Sequence, residues 1–257
     1  MDMLAIERRN EILDTIQKEQ SVIVAELSKR YSVTEETIRR DLDKLERDGF
    51  VKKTYGGAVY KESLDKDLPF KIREHSNKAE KIRIAQKVAG LIEDGDTIMM
   101  DSSSTVLQVA KLLKDKSRLT VITNSVEILV ELADCSNITV ISTGGTLRAP
   151  SLSLLGRTAE AVVCNYNVDK AIISCKGVHM QKGITDSVEL EVEVKRAMLR
   201  SCKQSILAVD STKIDKVAFT KLADLDEIDV LVTDQLADER WIDYFGVSHT
   251  QLLLAEK

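Results

Sequence analysis

Three groups of residues could do chemistry. The first is the run Thr34-Glu35-Glu36-Thr37-Ile38-Arg39-Arg40-Asp41-Leu42, with Lys52-Lys53 and Tyr55 shortly after it. Arginine can bond guanine edges or phosphates, and a lysine or tyrosine can donate to a phosphate. The second group is rich in hydroxyls: Asp101-Ser102-Ser103-Ser104-Thr105, Thr123-Asn124-Ser125 and Ser142-Thr143-Gly144-Gly145-Thr146. Hydroxyls and open backbone N–H groups at a helix start favour an anion. The same residues also make an ordinary helix cap, and the pattern alone leaves both readings open. Paired glycines such as Gly144-Gly145 permit close backbone approach to a ligand. The third group holds Lys176-Gly177, the turn Gly183-Ile184-Thr185-Asp186, and Asp210-Ser211-Thr212-Lys213. A lysine in such a place can neutralise a phosphate or can simply be a surface lysine.

Other chemistries lack their residues. The four cysteines (135, 164, 175, 202) and three histidines (75, 179, 249) are scattered, so neither a zinc site nor a disulfide framework is expected. Glu189, Glu191 and Glu193 alternate at a helix start and read as solvated or capping residues rather than catalytic ones. Cys175, with no histidine near in sequence, reads as a buried structural thiol. Trp241, Tyr244 and Phe245 read as helix packing. No acid/base pair has a spacing that points to proton transfer, and no cofactor is expected.

The elements that must carry these residues fall into three zones. In residues 1–60, Ile6, Ile12, Leu13 and Ile16 are spaced for one helix face, and Val24–Tyr31 forms a second short helix with Ala25 and Leu27 for the core. After Ser32-Val33, a third helix runs over Thr34–Asp48. Its Ile38, Leu42 and Leu45 form one buried stripe, Thr34 caps it, and Glu35 and Glu36 suit its first turn. Thr37, Arg39 and Arg40 lie off the stripe. Asp48-Gly49 ends the helix, with Gly at C′, and Phe50–Val59 reads as two strands around a turn. Three helices and a hairpin make a winged helix-turn-helix, which can set a helix in the major groove and bring Lys52 and Lys53 to the backbone. A helical subdomain with a solvated charged face is the other possibility.

Residues 61–80 are strongly charged and contain Pro69; they read as a linker and the start of a connecting helix. From 81 to 257, strand-like runs alternate with helical ones. The runs Thr97–Met100, Leu119–Thr123, Ile138–Ser142, Lys170–Ser174, Ser205–Val209, Ile228–Thr233 and Thr250–Leu254 are mostly apolar on successive positions, as in strands buried on both faces. Helices are expected at Thr105–Leu113, Val126–Ala133, Arg157–Val163, Leu190–Ser201 and Asp238–Phe245. Such alternation implies a mainly parallel α/β sheet, whose ligands bind in loops at the carboxyl ends of the strands. The hydroxyl-rich segments and both lysines fall in those loops.

The chain has 257 residues, 43% apolar and 31% charged, with ten aromatic residues, which suits a folded protein with an aliphatic core. Its net charge of -5 argues against coating nucleic acid by bulk charge. The first 60 residues hold 11 Lys+Arg against 12 Asp+Glu, so most of the acidic excess lies beyond them. A nearly neutral head with clustered cations implies modest non-specific DNA affinity and a few placed contacts. The N-terminus has charges through its apolar part and is not a signal peptide, and no apolar run approaches the roughly 20 residues of a membrane span. A cytoplasmic protein with no membrane partner is expected.

Thr37-Ile38-Arg39-Arg40-Asp41-Leu42 with Leu45, Asp48-Gly49-Phe50-Val51 and Gly56-Gly57-Ala58 resembles the DeoR family of bacterial transcriptional regulators. Where many members have His before Gly-Gly-Ala, this chain has Tyr55. The third zone is similar to that family's sensor domain, whose fold is like that of sugar-phosphate isomerases and CoA transferases. The similar segments are Asp101–Thr105, Thr123–Ser125, Gly144-Gly145, Gly183–Asp186, Val194–Met198 and Asp210–Lys213. Ser103 stands where members often have glycine, which narrows the pocket. The resemblance implies double-stranded operator DNA as a partner, contacted through Thr34, Glu36, Thr37, Arg39, Arg40, Lys52, Lys53 and Tyr55. It further implies repression of a sugar or polyol catabolic operon, relieved by a phosphorylated intermediate, and a response from a lysine early in the first sensor helix, where Lys81 or Lys78 fits. The expected effector residues are Lys81, Asp101, Ser102, Ser103, Ser104, Thr105, Thr123, Asn124, Ser125, Gly144, Gly145, Lys176, Gly177, Asp186, Asp210 and Lys213. A homodimer or homotetramer is expected, because one winged helix offers few phosphate contacts. The rival expectation is a sugar-phosphate isomerase-like enzyme with a helical appendage.

Overall fold

The computed structural model describes residues 4–47, 50–60, 68–236 and 238–255. Asp48-Gly49 and residues 61–67 of the linker lie outside the described residues. The chain divides into two compact units, residues 1–77 and 78–257.

In the first unit, α1 (Ala5–Glu19), α2 (Val24–Tyr31) and α3 (Glu35–Arg47) pack with a three-stranded antiparallel sheet. That sheet is ordered β1 (Ser21–Ile23), β3 (Gly57–Tyr60), β2 (Val51–Thr54). Ile12, Leu13 and Ile16 of α1, Leu27 of α2 and Ile38, Leu42 and Leu45 of α3 share one core with Phe50, Val51 and Ala58. The 3–4 spacing of these aliphatics puts each set on a single helix face. Two expectations fail. Ile6 is exposed in the first turn of α1, ahead of the stretch that the core covers, and Ala25 is exposed while Val24 takes the buried place beside Leu27. The residue of α1 buried ahead of that core stripe is Arg8, paired with Asp41 of α3 at 2.6 Å; Arg9 reaches the same carboxylate at 3.4 Å. The connector also differs from its reading. Within it, α4 (Phe70–His75) buries Phe70, and Leu68 and Ile72 pack on the core of this unit.

The second unit opens with α5 (Lys78–Ala89) and continues through β4 (Thr97–Met100), α6 (Ser104–Leu112), β5 (Leu119–Thr123), α7 (Val126–Leu132) and β6 (Ile138–Ser142). A hairpin of β7 (Thr146–Arg148) and β8 (Ser153–Leu155) follows, then α8 (Arg157–Cys164) and β9 (Val168–Ile173). Next come β10 (Gly177–His179), β11 (Gly183–Asp186), α9 (Glu189–Arg200), β12 (Cys202–Ala208) and β13 (Thr220–Ala223). The unit closes with β14 (Val230–Thr233), α10 (Glu239–Val247) and β15 (Gln251–Leu254). Seven strands form one sheet in the order β15-β14-β12-β9-β4-β5-β6, every pairing parallel. Successive residues of its central strands are buried, such as Ile98-Met99-Met100 and Ile206-Leu207-Ala208, so both faces are covered. Trp241 stacks on Phe245, and Tyr244 meets both edge-on, which makes α10 a packing element. A small antiparallel sheet, β10-β11-β13, sits beside the main one.

Candidate functional site

The residues expected to contact DNA lie on α3 and the β2–β3 wing of the first unit. Thr34 caps α3: its Oγ1 accepts the Thr37 amide at 3.2 Å and lies 2.9 Å from the Thr37 hydroxyl. Glu36, Arg39 and Arg40 are exposed on α3, and Lys52 and Tyr55 are exposed on the wing. Tyr55 stands at the β2–β3 turn with its whole side chain in solvent. The arginines are tethered within the helix: Arg39 to Glu35 at 2.5 Å and Arg40 to Glu36 at 3.2 Å. Lys53 pairs with Asp43, a contact that pushes its pKa up, and its amide donates to Glu46 at 2.8 Å. Lys53 therefore joins the wing to α3. Asp41, the acidic member of the motif, faces inward to Arg8 and fixes α3 against α1.

In the second unit, a parallel sheet puts every strand's carboxyl end on one edge, and hydrogen bonds join neighbouring loops there. The Thr143 amide donates to the Thr123 carbonyl at 3.1 Å, and the Thr123 hydroxyl donates to the Met100 carbonyl at 2.7 Å. Asp101 accepts from the amides of Ser103 (3.0 Å) and Ser174 (3.1 Å). Lys195 of α9 then reaches Asp186 at 2.6 Å, the Ser174 carbonyl at 2.8 Å and Asp101 at 3.2 Å. The loops after β4, β5, β6 and β9 thus form one connected edge, with α9 beneath it.

The residues of this edge divide by what already engages them. Both Asp101 oxygens are taken. Thr123 and Ser125 are fully buried, and Ser103 and Ser125 cap α6 and α7 by accepting from Val106 and Ile128. Gly145 sits at φ +109°, and a Cβ there would lie 2.6 Å from the Leu155 carbonyl. The close approach expected at Gly144-Gly145 is therefore to the β7–β8 hairpin. At Gly177 a Cβ would lie 2.5 Å from the Lys216 carbonyl, again a contact within the chain. Ser102, Ser104 and Thr105 are buried. Asn124 is buried with Nδ2 donating to the Leu154 carbonyl at 3.3 Å, while its Oδ1 has no partner.

Charge concentrates at the same edge. Asp210 is buried at the start of the Ser211–Lys213 turn, and burial pushes its pKa up; Lys213, Lys81 and the Thr212 hydroxyl and amide outweigh that and hold it below the usual carboxylate range. Asp186 follows the same logic, with burial opposed by Lys195 and Lys176. Burial would discharge Lys195, but Asp186 and Asp101 keep it well above the usual lysine range. Burial also drives the Cys175 thiol up to about 12, which leaves it protonated and inert at neutral pH, as read from the sequence. Glu191 departs from expectation: it is buried, accepts from Ser153 at 3.3 Å, and lies 3.8 Å from Arg148. Lys195 itself carries no signal of burial in its local sequence; only the two facing aspartates reveal it. No group of His, Cys, Asp or Glu among the described residues is arranged to hold a metal.

A winged helix-turn-helix joined to a parallel α/β unit with a polar, lysine-bearing loop edge defines a DNA-binding transcriptional regulator of the sensor-domain type. Residues 8–64 match the DeoR-like helix-turn-helix domain and residues 76–235 the DeoR C terminal sensor domain. The chain belongs to the DeoR family. It is 41% identical to the HTH-type transcriptional regulator YulB of Bacillus subtilis, over 92% of this chain and 91% of that one. It is 34% identical to the transcriptional repressor GlcR of the same organism (98% and 96%) and 34% identical to the L-fucose operon activator of Haemophilus influenzae (87% and 90%). Ribose 5-phosphate isomerase A of Methanocaldococcus jannaschii aligns over 54% of this chain and 55% of its own, with 16% identity and a TM-score of 0.41. The relatives are regulators, and the rival expectation of an isomerase-like enzyme is set aside. No helix among the described residues is long and apolar enough to cross a membrane.

Proposed function

We propose that the protein represses a sugar or polyol catabolic operon and leaves its operator when a phosphorylated intermediate binds the second unit. The observation that supports this reading is the charge at the loop edge: Lys213 and Lys81 act on buried Asp210, Lys176 acts on buried Asp186, and the buried Asn124 carbonyl oxygen has no partner. Cations there suit a phosphate and the Asn124 acceptor suits a sugar hydroxyl. For the ligand to release DNA it must bind the low-affinity DNA state better than the high-affinity one. The GlcR relative supports repression; the L-fucose operon relative favours activation as the second reading. We further propose that a homodimer or homotetramer in the cytoplasm places several winged helices on repeated half-sites. Lys213→Ala tests the sensor assignment: DNA binding stays, while the sugar phosphate that dissociates the wild-type complex requires a higher concentration. Unchanged release removes Lys213 from the site.

A further inference from the structure

Three cations of α3 and the wing are each met by a carboxylate of α3 itself. Arg39 is held by Glu35, Arg40 by Glu36 and Lys53 by Asp43. The two helical pairs lie in solvent, with their glutamates and arginines 47–78% exposed, while the Lys53–Asp43 pair is half-buried between wing and helix. The helical pairs are therefore neither buried struts nor packing contacts. Both helical pairs have Glu four residues before Arg, the stabilising orientation. The helix thus presents its arginines already neutralised.

We propose that Glu35, Glu36 and Asp43 form an acidic screen that sets the DNA specificity of this surface; the proposal rests on α3 and the wing being the DNA-contacting face. Binding to arbitrary sequence draws almost entirely on phosphate neutralisation. On such DNA no guanine edge stands in register to draw the arginines away, so the surface approaches the phosphates with its own carboxylates in place, within one screening length of them. On a matching site, a bidentate arginine–guanine contact is stronger than an exposed helical ion pair, and the arginine changes partner. The screen therefore weakens non-specific binding more than specific binding. It also accounts for a near-neutral DNA-binding head.

The test uses the full-length protein and two DNA probes. One is a duplex that the wild type selects from a random pool; the other is a scrambled duplex of the same composition. Fluorescence anisotropy over a potassium chloride series compares wild type, Glu35→Gln/Glu36→Gln and, on the wing, Asp43→Asn, with circular dichroism confirming that each is folded. For the double variant, scrambled-DNA affinity rises about three- to fivefold and selected-DNA affinity less than twofold. The slope of log K against log salt on scrambled DNA steepens by about one to two, since each freed arginine acts as a further phosphate contact. Asp43→Asn moves both in the same direction by less. Unchanged affinity and slope on scrambled DNA overturn the proposal. So does a loss confined to selected DNA, which makes the carboxylates base readers. A wild type that selects no sequence and binds neither duplex overturns the DNA-contacting assignment itself, and this proposal with it.

Discussion

Replacing Lys195 by Met removes an ammonium that two buried carboxylates share. The methionine keeps the apolar stem, so the volume change is small, but Asp101 and Asp186 are left with side chains only 1% exposed each. Removing one partner of a buried pair costs about 3–5 kcal/mol. In a unit of this size each kcal/mol lowers the melting temperature by about 2–4 °C, so the sensor transition should fall by roughly 6–20 °C. Calorimetry on wild type and variant reads this directly. Acid gives a second signature. In the wild type the folded pKa of Asp186 is depressed, so its contribution is complete above the ordinary carboxylate value and is lost as pH falls through that value and then the folded one. In Lys195→Met the stranded Asp186 resists ionisation, since burial then acts without Lys195 to oppose it, so the variant's deficit narrows as pH drops toward 5. Adding Asp186→Asn to the variant should recover part of the loss. A shift under 2 °C, or a deficit that does not change with pH, would show that the cluster does not hold the loops as described.

Asp41→Ala strands Arg8 and loosens α3 from α1; a loss of about 3–5 kcal/mol should appear in denaturant unfolding of the first unit while the sensor transition stays in place. Arg39→Ala and Arg40→Ala should each weaken operator binding by about 1–3 kcal/mol where the side chain reads a base; gel shifts in which both variants bind normally refute that role. Exposed Cys164 should take iodoacetamide in the native protein at pH 7 while buried Cys175 does not, and peptide mass spectrometry distinguishes the two.

The parallel sheet was legible because its strands are continuous apolar runs. Thr97–Met100, Leu119–Thr123 and Ile138–Ser142 have the bounds their hydrophobicity implies. The hairpin β7–β8, the sheet β10-β11-β13 and the strand Ser21–Ile23 were not legible, since three- or four-residue strands of mixed polarity have no period to follow. Ile6 and Ala25 misled for a related reason: spacing identifies a face but not where along the helix the core ends. The candidate site was visible as hydroxyls and lysines after strands. Its internal division was not, because a serine at a helix start suits a local cap, as Ser103 and Ser125 prove to be, and an anion site equally well. Lys195, Glu191 and Asp41 were hidden most fully, as charged residues whose burial follows from carboxylates or guanidinium groups far away in sequence.

The central claim, that a ligand of the second unit governs DNA occupancy by the first, is tested most directly by titration. A duplex selected by the protein is held in complex and followed by anisotropy while phosphorylated sugars and polyols, and their unphosphorylated parents, are added. One phosphorylated compound should shift the DNA dissociation constant by at least fivefold, with its parent inactive and the compound recovered unchanged. A DNA affinity indifferent to every phosphorylated compound, or turnover of one of them, would contradict the account.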